Sequence, residues 1–238
     1  MIIDAKLIAE ALQDIRPFDK GGEMTKKIND MMQIVEAAEA AGTDPVDRTS
    51  LALVITGDPQ ACEVMAQAYT KALHGHGLIA GRSLSGPPSL AKIDWPSDFE
   101  DSFISRQLQE YNHAYKTINE AKDRAAGGTL VIPGINKMPY VGYVDEEDAG
   151  PKALNGALRA ITEFMAEGAG KERTPVVILT GEAEPMAAFL AQQPEMQKIF
   201  EGKTLAVCTT DPAISTELST AITVRGPLRL KLRAPSFS

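Results

Sequence analysis

The chain has 238 residues, 44% of them hydrophobic and 24% charged, with a formal net charge of -8. That length buries a substantial core without disulfides or a structural metal, and the acidic balance argues against a general nucleic-acid surface, which needs a basic footprint to replace phosphate counterions. No apolar run approaches the roughly 18 residues of a membrane span, the first fifteen residues lack the order of a signal peptide, and the expected location is the cytoplasm.

Residues 4–15 and 24–40 read as helices, the second with Ile28, Met31, Met32, Val35 and Ala38 on one face at helical spacing. A polar stretch, 42–50, leads into LALVIT at 51–56, a near-continuous apolar run that suits a strand buried on both faces of a parallel sheet. Gly57-Asp58-Pro59-Gln60 reads as a turn, and Val64, Met65, Ala68, Tyr69 and Leu73 mark a helix over 61–74. Between Gly75 and Pro96 the chain is rich in Gly, Ser and Pro; GLIA at 77–80 is the expected second strand and the remainder an exposed loop.

Ser97 and Glu100 have capping-box spacing, and Ile104, Leu108, Tyr111, Tyr115 and Ile118 trace one face of a long helix that stops at Gly127-Gly128. TLVIPG at 129–134 is a third strand, 151–167 a helix with Leu154, Leu158, Ile161 and Met165 inward, and PVVILTG at 175–181 a fourth strand. Helical turns over 184–200 precede a fifth, TLAVCT at 204–209. Strands alternating with crossover helices predict an α/β fold, a parallel sheet of about five strands with helices on both faces. Residues 1–50 are then helices packed on the core, 51–210 the core itself and 211–238 a β extension, together one compact domain.

In that extension Leu228, Leu230 and Leu232 alternate with Arg229, Lys231 and Arg233, a strand with one apolar and one basic face. It reads either as an edge strand whose charges discourage edge-to-edge pairing or as a docking strand for an acidic partner. Trp95, in the Gly/Pro-rich segment, is either a recognition anchor or a plug over the core. Cys62 and Cys208 lack the paired spacing of a zinc or redox site and read as reduced thiols. His74 and His76 read as exposed capping residues rather than metal ligands, and the acidic run Asp145 to Asp148 as a solvated helix start.

A strand, a Gly-Asp-Pro turn and a helix share the frame of a nucleotide-binding P-loop, which is Gly, four residues, Gly-Lys and Ser or Thr. From Gly57 that frame gives Gly57, Asp58, Pro59, Gln60, Ala61, Cys62, Glu63 and Val64. The stretch LALVITGDPQACEVMAQAYTKALHGHGLI resembles one AAA+ group, the red-type Rubisco activases and the stage V sporulation protein K-like ATPases, which typically read LVFTGNPGTGKT. RAAGGTLVIPGINKM resembles the group's Walker B stretch GGVLFIDEAYSL, and DAGPKALNGALRAITEFM its following helix. TPVVILTGEAEPMAAFLAQQPEMQKIF resembles VVILAGYPDEMEEFLRSNPGLRSRF, so four blocks in the same order span residues 51–200.

The resemblance implies a P-loop NTPase-like AAA+ core, and the departures from it fall on the chemistry. Cys62 stands at the second glycine, Glu63 at the phosphate-binding Lys and Val64 at the Mg²⁺-binding hydroxyl; Pro133 and Gly134 stand at the Walker B acids. A carboxylate in place of a cation reverses an interaction of roughly 4 kcal/mol per charge pair at about 4 Å and an effective dielectric near 20. The arginine finger position aligns with Ile199, and the family's helical lid is missing, its place taken by a C-terminal stretch that ends in the alternating basic strand. The expectation is a non-catalytic, pseudo-ATPase domain with no cofactor, serving as a scaffold for a protein partner or self-association. The alternative is an ATP-driven remodelling enzyme that holds ATP and magnesium in an unorthodox way.

Overall fold

A computed structural model describes residues 3–42, 47–79, 89–93, 108–137, 152–168 and 173–206, all within one compact unit, Met1–Cys208. Five strands form one sheet: β1 (Leu53–Thr56), β2 (Leu90–Lys92), β3 (Thr129–Pro133), β4 (Val176–Gly181) and β5 (Thr204–Ala206). Their order is β2-β3-β4-β1-β5 and every pairing is parallel. Seven α-helices stand among the described residues: α1 (Ala5–Ile15), α2 (Glu23–Ala41), α3 (Pro59–Gly75), α4 (Leu108–Arg124), α5 (Lys152–Gly168), α6 (Ala183–Gln192) and α7 (Pro194–Phe200). The result is a P-loop-like α/β fold. None of these helices is long and apolar enough to cross a membrane.

Covering helices on both faces explain why β1 and β4 read as unbroken apolar runs. All four residues of β1 and the first five of β4 are buried. Alternate residues serve one face: Val54, Leu130, Ile132, Val177 and Leu179 share a cluster with Ala114 and Ile118 of α4, Ile161 and Phe164 of α5, Met186 of α6 and Phe200 of α7. On the opposite face α3 crosses β1 and β4, carrying α1 and α2. There Tyr69, shut from solvent, donates a hydrogen bond of 2.9 Å to the Leu51 carbonyl and ties α3 to the chain entering β1. Burial pushes its phenol well above the ordinary range.

The helices begin where short carboxylates satisfy their first amides. Asp4 accepts from the amides of Lys6 and Leu7 ahead of α1, and Asp19 accepts from those of Met24 and Thr25 at the head of α2. The tail of α3 closes as a Schellman motif: the Leu78 amide reaches the Leu73 carbonyl, the Gly77 amide reaches that of His74, and Gly77 takes a φ of 71°.

Two expectations change, and a third falls on residues not described. Residues 77–79 do not supply the second strand: Gly77 belongs to that helix-ending turn, and β2 comes instead from Leu90–Lys92, inside the segment expected to be loop. The run LALVIT divides, because Asp47 caps a 3-10 turn over Arg48–Leu51 and the strand starts at Leu53. The long fourth helix is described from Leu108, so its expected capping box at Ser97 and Glu100 lies outside the described residues.

Candidate functional site

The connection after β1 leads to α3 on one face of the sheet, and the connection after β4 leads to α6, which packs on the other. Since β1 and β4 are neighbours, their carboxyl ends flank the point at which a doubly wound sheet opens its crevice for a ligand. Gly57, Asp58, Gly181 and Glu182 therefore stand at the candidate site. The Gly57 amide donates to the Gly181 carbonyl at 2.9 Å, linking the two strand ends by backbone alone. Gly57 does so at a φ of 146°, which residues with a side chain rarely adopt.

Residues 59–64 are not a loop. Asp58 is an N-cap and Pro59 the first helical residue, a pairing that starts a helix at once because proline brings the required φ and has no amide to satisfy. The Asp58 carboxylate accepts from the amides of Gln60 and Ala61, both at 3.0 Å, and the Asp58 carbonyl accepts from that of Cys62 at 2.9 Å. In an active P-loop such amides face outward and cradle phosphate. Here each one from Gln60 to Cys62 is taken by the chain's own Asp58, and the capping carboxylate puts a negative charge where phosphate would bring another.

Cys62, in the frame of the second glycine, points into the core; its thiol is buried and lies 3.6 Å from the Ile55 carbonyl. Burial first, and then the charge of Asp58, push that thiol up to about 12, against a smaller opposing pull from the Gly181 backbone. Such a group is a packing residue, inert as a nucleophile. Glu63 faces outward and pairs with Lys92 of β2 at 2.8 Å, with both side chains about two-fifths exposed (40% and 44%). Glu63 is thus engaged by a cation from the edge strand β2. Val64 is half-buried on α3 and brings no oxygen to the site.

Across the crevice, Pro133 ends β3 and Gly134 turns away at a φ of 57°, its amide donating to the Thr180 carbonyl at 2.7 Å. The two residues that the resemblance aligns with Walker B are therefore backbone structure joining β3 to β4. Asn136, in the 3-10 turn Ile135–Lys137, packs against Gly181: a Cβ added at Gly181 would lie 3.0 Å from Asn136 Oδ1 and 2.7 Å from Met186 Cε. That Oδ1 is shut from water and has no hydrogen-bond partner among the described residues. Ile199, at the finger position, packs against the apolar cluster.

The structure thus brings Gly57, Asp58, Cys62, Glu63, Pro133 and Gly134 to the carboxyl edge of the sheet, while Trp95, Arg229, Lys231 and Arg233 lie outside the described residues, as do Cys208 and the acidic run 145–148. Sequence reasoning missed two participants. Lys92 sits in a strand too short to announce itself, and Asn136 carries no motif. The double role of Asp58 was open to reading, because Asp-Pro after a strand is a helix-start signature. Among the described residues no three of His, Cys, Asp and Glu come together to hold a metal ion. Compared with protein-family models and with curated proteins, the chain matches none.

Proposed function

We propose that this chain is a non-catalytic, AAA+-like domain that uses the P-loop architecture as a scaffold for protein–protein interaction or assembly. The observation that carries the reading is the state of the α3 head: the amides that would bind phosphate are held by Asp58 at 3.0 Å. Two further features support it. Glu63 replaces the expected cation and Val64 the metal-binding hydroxyl, and the strand order β2-β3-β4-β1-β5 accompanies the four blocks of sequence resemblance. Hydrolysis needs a polarised water and a stabilised leaving group, and Pro133 and Gly134 offer neither. In this reading the protein works in the cytoplasm on a protein partner or on itself, with Trp95 and the basic residues Arg229, Lys231 and Arg233 as candidate contacts.

The test is titration with a fluorescent ATP analogue, with and without Mg²⁺, on the natural protein and on a Glu63→Lys, Val64→Thr double variant. The natural protein is expected not to saturate at about millimolar ligand, a binding free energy weaker than roughly 4 kcal/mol. Micromolar, Mg²⁺-dependent binding by the natural protein would overturn the reading and put an ATP-driven remodelling enzyme in its place.

A further inference from the structure

At the far end of α3, away from the crevice, the chain buries a titratable ring, His76, whose nitrogens Nδ1 and Nε2 meet no hydrogen-bond partner among the described residues. His76 follows the last turn of α3 and is 1% exposed, contrary to the expectation that it caps the helix from the surface. The Ile28 backbone of α2 pulls towards the charged form but falls short of ordinary hydrogen-bond geometry, and burial dominates, holding the imidazole below its usual range. His74, two residues earlier, is only half-buried, with Nδ1 3.3 Å from the Ile79 carbonyl.

Three helices converge here. The Asp4 amide at the head of α1 donates to the Gly75 carbonyl at 2.8 Å, and α1 crosses so closely that a Cβ on Gly75 would lie 2.8 Å from Ile8 Cγ1. α2 packs on both α1 and α3. Among the titratable groups on these elements, Asp4 accepts from its own helix, Lys71 pairs with Asp14, and Lys27 of α2 feels the charge of Asp30. Among the described residues, no carboxylate acts on His76 to hold a proton there.

We infer that His76 is an acid-sensitive latch: enclosed by α1, α2 and the end of α3 without a polar partner, its ring accepts a proton only where α1 and α2 have come away from α3. An imidazolium left in that enclosure would be an unpaired buried charge, so the closed form disfavours the proton. The neutral ring favours the closed arrangement. Closure is therefore at full strength above the ordinary histidine value of about 6.5 and weakens as pH falls below it, since the open form then binds the extra proton.

The test is hydrogen exchange by mass spectrometry on the full chain from about pH 7 to about pH 5, corrected for intrinsic exchange, with NMR titration of the histidine rings. The opening equilibrium of peptides from α1 and α2 is expected to rise by up to about tenfold per pH unit below about 6.5, while peptides from β3 and β4 stay protected. His76→Phe and His76→Gln, neither of which titrates, are expected to flatten that dependence. An opening equilibrium that is independent of pH in the natural protein, or a slope that survives in either variant, overturns the proposal. Should both variants fail to fold, the ring decides: a His76 signal that titrates at the ordinary value while the α1 and α2 amides stay protected also overturns it, and a ring that stays neutral until those amides open supports it.

Discussion

At the head of α3, Asp58 meets the amides of Gln60 and Ala61 with its side chain and that of Cys62 with its carbonyl, whereas at the tail His76 is enclosed with neither ring nitrogen bonded among the described residues. One helix thus ends in two opposite ways. The head stands where a P-loop fold binds its ligand, and its polarity is consumed internally. The tail stands where such folds have no ligand, and its polarity is left over. Buried polar groups are normally satisfied. In the proposal above, the helix packing around His76 is the acid-sensitive end of α3, while the polar groups at the crevice end are already met by Asp58.

The largest effect that sharpens the comparison is chemical. With its thiol pushed up to about 12, Cys62 is expected to react with iodoacetamide at pH 8 on the order of a thousandfold more slowly than a free thiol near 8.5. Peptide mapping separates it from Cys208. Labelling of folded protein at the free-thiol rate would mean that the head of α3 opens to solvent and is not the closed cap described above.

Tyr69 lies between the two ends and measures how firmly α3 is held. Tyr69→Ala is expected to cost about 3–5 kcal/mol by denaturant unfolding, as large aromatic deletions in closed cores do. Tyr69→Phe is expected to cost about 1 kcal/mol, because the Leu51 carbonyl then loses its partner. Gly75→Val comes next, at about 1–3 kcal/mol from overpacking: the new Cβ meets the flexible Ile8 side chain but also the Asp4 carbonyl at 3.1 Å. Because it lifts α1 near His76, this variant is also expected to shift the acid response towards neutral pH.

These positions show what the sequence carries and what it does not. Strands β1, β3 and β4 are legible because burial on both faces demands apolar runs, and Asp4 and Asp58 are legible as caps because their chemistry is local. β2 is not, since Leu90-Ala91-Lys92 becomes a strand only by pairing with Thr129-Leu130-Val131. Cys62, Glu63, Val64, Pro133 and Gly134 are readable only as departures from the pattern that the resemblance supplies. That Glu63 meets Lys92, or that Gly181 leaves room for Asn136, depends on which strand ends the sheet order makes neighbours. His76 was misread for the same reason, because only the crossing of α1 and α2 decides that a histidine at a helix end is enclosed.

A smaller change acts on the head directly. Asp58→Ala is expected to cost about 1 kcal/mol, the usual worth of an N-cap, seen as a lower denaturant midpoint at unchanged slope. It also frees the Gln60 and Ala61 amides, so any stabilisation of this variant by phosphate that the natural protein lacks would show that the cap is what excludes the anion. A loss well above 2 kcal/mol would instead make Asp58 a structural keystone and weaken the reading of it as a stand-in for phosphate.

The smallest effect is expected at Glu63. Its pair with Lys92 is close, at 2.8 Å, but 40% and 44% of the two side chains are exposed, so water and salt screen the attraction. Glu63→Gln should change stability by no more than about 0.5 kcal/mol, and the difference should vanish in about 1 M salt. A near-zero result has a use here. A fold that makes no demand for an acid at position 63 leaves the charge of Glu63 available to the proposed reading, in which no phosphate is accommodated beside it. A loss above about 1 kcal/mol would give Glu63 a structural reason to be acidic and remove it from the case against nucleotide binding.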